Sequence, residues 1–500
     1  MHTQEEVQVT FQASEINTQQ GLVLRGTVEV RVPWPPQDER FVEHMERSVD
    51  QAGQMLKREW MRLSLEQADA ELVLERLRRD RAQQRRGKRK MTFKTTFGTV
   101  IARRYRLLDK ATGKISTPSA DAWNTPRQLT ITRPLRDLVR DVVRDESYRK
   151  TAQRVACHAG DEDLLCPTSV MNILHEEGAA LGEATLRRVE ASYQQFPEAE
   201  GVFATAASPA AEAESEKEID ADETLGSSEV EEVWEPPVGF GREGIEGQSE
   251  GPRRVDDQHV LVQVDEVKVK AQPQTGRDDL WTYTAVVMTA AVTRNFVAGS
   301  AVDLWRQVGA FLATFGIHRG QSGLLLLADG ASWIRAWFEG LPLKNKTMIL
   351  CWYHLAKKCG ESLSRACRGK EHRNDVQRGL LNLLWEGKLQ EGLAYLDSRR
   401  DEMKSSKAID DLKSYLERRA AYLPNYSVRR EAGLWIASNR VEKLNDATVS
   451  DRCKGRGMAW TPAGVLSLAR LEAADCNGEF ECWTWQRELP HWHGTPALAA

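Results

Sequence analysis

Residues Val260–Lys270 read VLVQVDEVKVK. Apolar residues crowd the first half, and Val267 and Val269 continue the pattern, so a largely buried strand is expected. Asp265 stands at its centre. A carboxylate there is costly unless something compensates its charge. A hard divalent cation, which takes oxygen ligands, is one such compensator. Taken alone, the stretch reads more simply as a strand that ends with Asp265 and Glu266 at its wet edge. The residues that follow change that balance.

Thr282–Ala291 (TYTAVVMTAA) reads as a second strand, and Leu304, Val308, Phe311 and Leu312 recur at helical spacing within Asp303–Phe315. Gly323–Ala328 (GLLLLA) is a continuous apolar run that delivers Asp329 at its end and turns at Gly330. Strand ends of this kind are where α/β sheets place ligands. Lys346–Leu350 reads as another strand, followed by Cys351, Trp352, Tyr353 and His354. Helical pattern then runs from Leu355 to about Tyr426, and Arg440–Val449 (RVEKLNDATV) is a helix carrying Glu442. Asp265, Asp329 and Glu442 thus sit on three elements, 64 and 113 residues apart. Two-metal phosphoryl transfer needs carboxylates converging in this way on two ions about 3.5–4 Å apart. The expected cofactor is Mg2+ or Mn2+, with Asp265 bridging both ions and Asp329 and Glu442 completing one each.

These residues resemble the D-D-E transposases of bacterial insertion sequences, in the mutator-like group with the Kra-type elements. The resemblance rests on V-D-E around Asp265, on A-D-G-A-x-W-I at Ala328–Ile334, and on C-x-x-H at Cys351 and His354. It rests above all on V-E-x-x-N at Val441–Asn445, followed by Arg452, Lys454, Gly455, Gly457, Met458 and Trp460. It covers roughly 255–470. It implies an α/β chain with a ribonuclease-H-like catalytic domain, interrupted by an all-α insertion, and cutting and joining of DNA at terminal inverted repeats. Ala437-Ser438-Asn439-Arg440 departs from the pattern, where a small Ser-Gly pair is expected. A structure-selective nuclease on the same fold, and a catalytically silent DNA-binding regulator, are the rival readings.

Cys351 and His354 form half of a zinc site by spacing, with Cys359, Cys367 and His372 near enough in sequence to complete it. A His354 close to the scissile phosphate, or simple packing, is the preferred reading. Arg452, Lys454 and Arg456 make a basic, glycine-flanked loop suited to phosphate contact.

Upstream, Phe41–Lys90 is helical by pattern and ends in the basic block Arg76–Lys90, either a solvated helix tail or a phosphate-contacting arm. Thr95–Leu108 reads as two short strands around Gly98, with Arg103, Arg104 and Arg106 interleaved with Tyr105. Ser147–Val155 and Pro167–Leu174 suit a helix-turn-helix, the second helix offering Thr168, Ser169, Met171 and Asn172 to a DNA groove. The expected organisation is an N-terminal helical and hairpin region (1–130), a helix-turn-helix domain (131–195), an acidic disordered linker (196–252), the catalytic domain (253–470, insertion about 355–430) and a tail (471–500).

The chain has 500 residues and a net charge of −4, with the basic block and the acidic Glu198–Glu250 strongly segregated. Eight scattered cysteines without repeated C-x-x-C pairs are no disulfide framework. With no visible signal peptide and no apolar run of membrane length, a soluble, nucleoid-associated protein of the bacterial cytoplasm is expected. The expected partner is double-stranded DNA, bound by a homo-oligomer because two DNA ends must be held together.

Overall fold

The computed structural model describes residues 8–17, 23–31, 37, 40–125, 128–204, 255, 258–455 and 457–492. The fold is mixed α/β and divides into two compact units, Met1–Glu177 and Gly178–Ala500.

In the first unit, β1 (Gln8–Asn17) and β2 (Val23–Arg31) pair antiparallel. The 39-residue helix α1 (Phe41–Arg79) follows. The helix stops before the basic block does. Gln83–Thr95 forms a strand, β3, paired antiparallel with β4 (Gly98–Asp109). The hairpin is therefore longer than the two short strands expected around Gly98, and half of the basic block lies in it. The reason is alternation at its inner end. Met91 and Phe93 face Val100 and Ala102, and Met61 and Leu65 of α1 pack against this cluster. Gly98 makes the turn with φ 109°, a conformation that glycine adopts freely. Arg104 of the interleaved arginines is fully buried, and its guanidinium donates to Thr125 Oγ1 at 2.7 Å. Short strands β5 (Ile115–Ser116) and β6 (Leu129–Ile131) flank the hairpin, giving the order β5-β4-β3-β6. On its other side β4 is closed by α1. The N–H of Arg103 donates to Glu66 Oε1 (2.9 Å) and that of Tyr105 to Asp69 Oδ2 (2.6 Å).

Helices α2 (Pro118–Ala122), α3 (Arg133–Val143) and α4 (Tyr148–Ala159) follow. Ser147 caps α4, its side chain accepting from Lys150 N–H, and Gly160 ends it in the left-handed region. Helix α5 runs from Pro167 to Gln195, 29 residues against the short helix expected. The division between units falls within it. Its far end belongs to the second core, where Val189 and Tyr193 are buried.

The second unit is built on a five-stranded sheet of order β11-β10-β7-β8-β9. Strand β7 (His259–Lys270) pairs antiparallel with β8 (Asp279–Met288), and β8 with β9 (Thr293–Ala298). On the other side β7, β10 (Gly323–Ala328) and β11 (Lys346–Leu350) are parallel. Strand β7 is apolar on both faces because both are covered. Val260, Val262 and Val264 join the core of α7 (Ala301–Ala313) and α8 (Ser332–Gly340), where Trp305 stacks on Trp337 at 3.8 Å. Leu261 faces the opposite core, with α9 (Trp352–Ala366) and the helices 370–385, 389–398 and 406–418. This helical array lies where the all-α insertion was expected.

Two boundaries differ from the sequence expectation. Residues assigned to the acidic linker from 196 onward begin with α6 (Pro197–Ala204), whose Ala199 and Phe203 are fully buried in the second core. The rest of that segment, 205–252, lies outside the described residues. The supposed tail contains the helix Phe480–Gln486, and Trp483 and Trp492 are buried. Trp492 packs edge-on to Phe296 and Phe311. Among the described residues no helix is long and apolar enough to cross a membrane.

Candidate functional site

The parallel register sets the site. Leu327 is level with Gln263, and Ala328 with Leu350. One step beyond the paired residues, Asp329 and Cys351 leave β10 and β11, while Asp265 stands at the corresponding level of β7. Adjacent strands lie about 4.8 Å apart, so three neighbouring strands present Asp265, Asp329 and Cys351 as a row. Asp329 is fixed by its own turn, Oδ1 accepting from the Ala331 N–H at 2.9 Å, an Asx-type bond. Gly330 makes the bend with φ 84°.

Glu442 reaches this row on the short helix Asn439–Asn445. Side chains alternate along β7, so Gln263 and Asp265 share the face turned toward that helix. The fully buried Gln263 amide donates to Ala437 O (3.2 Å) and accepts from the N–H groups of Arg440 (3.0 Å) and Val441 (3.3 Å). It thereby meets two N–H donors of the helix's first turn, that of Val441 being shared with Ser438 O. One turn further on, Asn445 donates to Asp265 Oδ2 (2.7 Å) and accepts from Thr284 Oγ1 (2.6 Å). Ser438, where a Ser-Gly pair was expected, donates its hydroxyl to Glu442 Oε1 at 3.2 Å. Asp446 is exposed, and a π turn carries the chain on through Ser450.

Electrostatics link the acids. Burial first, then the charges of Asp329 and Glu442, raise the Asp265 carboxyl to about 7, against the pull of His354. Glu266 was not among the residues expected to act. It lies on the other face of β7, accepts from Trp333 Nε1 at 2.9 Å, and is raised well above the carboxylate range by burial and by Asp329 and Asp265. Burial alone would depress the His354 imidazole. Cys351, Asp329 and Asp265 outweigh it and push it up to about 10. Burial opposes ionisation of the Cys351 thiol too, yet His354 and Ser438 pull it down. Cys351, His354 and Glu442 bring one ligand atom each within 4.8 Å of one another. Of the cysteines weighed as zinc partners, Cys359 is pushed up to about 12 by burial and Cys367 donates to Met403.

The remaining candidates are dispersed. Arg452 is half-buried with its guanidinium 5.0 Å over the Trp460 ring, Lys454 is exposed, and Arg456 lies outside the described residues. Their loop is tethered to the end of β7, the Trp460 N–H donating to Lys270 O (3.0 Å) and its carbonyl accepting from Gln272 (2.9 Å). In the first unit Thr168 and Asn172 are exposed and Ser169 is half-buried. Ser169 and Asn172 line a groove of about 320 Å³ with Thr130, Ile131, Arg136 and Glu176.

Fold and site together define a mixed α/β protein with a half-buried carboxylate cluster beyond the C-terminal ends of its parallel strands. The chain belongs to the uncharacterised protein family UPF0236, which matches residues 38–216 and 279–486. Comparison with curated proteins gives no match.

Proposed function

We propose that this chain is a metal-dependent DNA transposase of the D-D-E type, which cuts DNA at terminal inverted repeats and joins the freed 3′ end to target DNA. One observation carries the reading: acids 64 and 113 residues apart in sequence come to one site, Asp329 level with Asp265 on the adjacent strand and Glu442 on the helix that Gln263 and Asn445 hold against β7, and burial, with Asp329 and Glu442 adding to it, raises Asp265. The sheet order supports a ribonuclease-H-like fold, three antiparallel strands followed by two parallel ones with the helical array inserted before the Glu442 helix. Helices α4 and α5, joined by Gly160–Cys166, support the helix-turn-helix reading.

The donor set fits hard divalent cations such as Mg2+. Asp265 and Asp329 are level on adjacent strands and Glu442 is near enough to act on Asp265, so burial and two neighbouring acids disfavour the Asp265 charge, a cost that a cation relieves. Asp265, Asp329 and Glu442 would hold the ions, which supply charge neutralisation at the phosphate and a more acidic attacking hydroxyl. The protein's own part is positioning. Gln263 and Asn445 hold the Glu442 helix against β7, the Asx turn fixes Asp329, and Thr284 orients Asn445. His354, its imidazole held cationic by Cys351, Asp329 and Asp265, would offer a positive charge to a phosphate oxygen.

Asp265→Asn, Asp329→Asn and Glu442→Gln should each abolish Mg2+-dependent cleavage of duplexes carrying the element ends, while binding to those duplexes survives. Gel analysis of labelled ends measures both. Near wild-type cleavage in all three variants would end the assignment, and cleavage without joined products would make the chain a nuclease.

A further inference from the structure

Part of the basic block forms an exposed β-ribbon that the proposed chemistry does not use. Residues Gln84–Lys90 of β3 are all exposed. They include Arg85, Arg86, Lys88, Arg89 and Lys90, and the facing strand adds the exposed Arg103 opposite Lys90. Alternation places Lys88 and Lys90 on one face, and the register adds Arg103 and Tyr105 to it. The Tyr105 ring holds two cations, Lys88 Nζ at 4.4 Å and the Arg85 guanidinium at 4.9 Å, which restrains both side chains. A bulge between Arg85 and Lys88, with Gly87 at φ 90°, adds local twist. Among the described residues none of Arg85, Arg86, Lys88, Lys90 or Arg103 forms an ion pair with a carboxylate. The inner end of the hairpin is occupied otherwise, Lys94 donating to the Leu164 carbonyl.

Charged residues on an open strand edge discourage pairing with other chains. That role needs charge, but neither a single sign nor a shared aromatic support. We infer that the ribbon Arg85–Lys90 with Arg103 and Tyr105 is a binding surface for double-stranded DNA, gripping its phosphates from a two-stranded β element separate from α4 and α5. A β-ribbon is of a size to enter the major groove, and its cations neutralise phosphates whatever the base sequence. The choice of DNA over other polyanions rests on the transposase reading.

The test uses the full chain carrying Asp329→Asn, so that cleavage does not interfere. The probes are a random-sequence duplex, the matching single strand, and dextran sulfate. The variant is Arg85→Gln/Lys88→Gln/Lys90→Gln/Arg103→Gln, four exposed positions. The control is Lys344→Gln/Arg378→Gln/Lys407→Gln, exposed positions of the second unit. The ribbon variant should bind the duplex at least about tenfold more weakly, and its log–log salt slope should fall by about 3 to 4. The control should keep the parent slope, and melting temperatures should match. An unchanged slope in the ribbon variant overturns the inference. So does a parent chain that prefers dextran sulfate or the single strand to the duplex. If the parent binds no duplex at all, the transposase reading fails with it. Aggregation of the ribbon variant with its salt slope intact would assign the charges to edge protection instead.

Discussion

Asp265 is the side chain on which most depends. Its carboxyl sits at about 7 in the folded protein, against about 3.9 in an unfolded chain. A raised acid binds its proton more tightly when folded, so this group favours folding at low pH. That contribution is full below about pH 4 and is lost as pH rises through about 7. The metal-free protein should therefore lose thermal stability across this window, and Mg2+ should restore it at pH 8. Asp265→Asn should flatten both the pH dependence and the Mg2+ response in thermal melts. A melting curve with the same pH and Mg2+ dependence in that variant would show that Asp265 is not the group responsible. Gln263 supports a second expectation. Gln263→Leu keeps the volume but leaves the Ala437 carbonyl and the Arg440 N–H unpaired in a buried place, while the Val441 N–H keeps its bond to Ser438 O. Each orphan costs about 1–3 kcal/mol, so a loss of several kcal/mol should appear in chemical denaturation, together with weakened cleavage through a displaced Glu442.

Secondary-structure elements decide which parts of the site were legible in advance. Strands β7 and β10 announce themselves because both faces are buried, which gives continuous apolar runs in VLVQV and GLLLLA. Asp265 and Asp329 could be found because they interrupt or end such runs. Strand β9 (TRNFVA) gave no signal. It is short and polar at its start, where Arg294 and Asn295 bond to Glu479 and Asn477 more than 180 residues away. Gln263 and Glu266 looked like ordinary polar residues because their partners, Ala437 and Trp333, are also distant in sequence. The turn after β10 offers a test at this scale. A Cβ on Gly330 would stand 2.8 Å from Leu350 Cδ1, at φ +84. Gly330→Ala should cost about 1–3 kcal/mol and reduce cleavage by shifting Asp329, as kinetics and denaturation on the same variant would show.

At the scale of the whole chain, the last described residues close the second core rather than trail from it. The buried Arg188 and half-buried Arg294 guanidiniums meet on the buried Glu479, and Arg188 also lies 4.4 Å over the Trp492 ring. Breaking a buried ion pair on one side costs about 3–5 kcal/mol. Glu479→Gln should lower stability by that order. A stop codon after Gly478, which also removes Trp483 and Trp492, should leave the chain insoluble or unfolded by circular dichroism. A truncated chain with the parent's melting temperature would return residues 479–492 to the status of a dispensable tail.

The carboxylates Glu66, Asp69 and Asp161 occupy three outward-facing β4 amides, those of Arg103, Tyr105 and Thr99, and β5 takes positions beyond Tyr105. Strand addition by a second molecule is thereby blocked along that rim. The opposite rim, along Gln84–Lys90, is open but uniformly cationic, so two copies meeting there repel. A concentrated solution of this protein gains a built-in brake on fibril growth, one that strengthens at low ionic strength and that a polyanion lying between two rims would release.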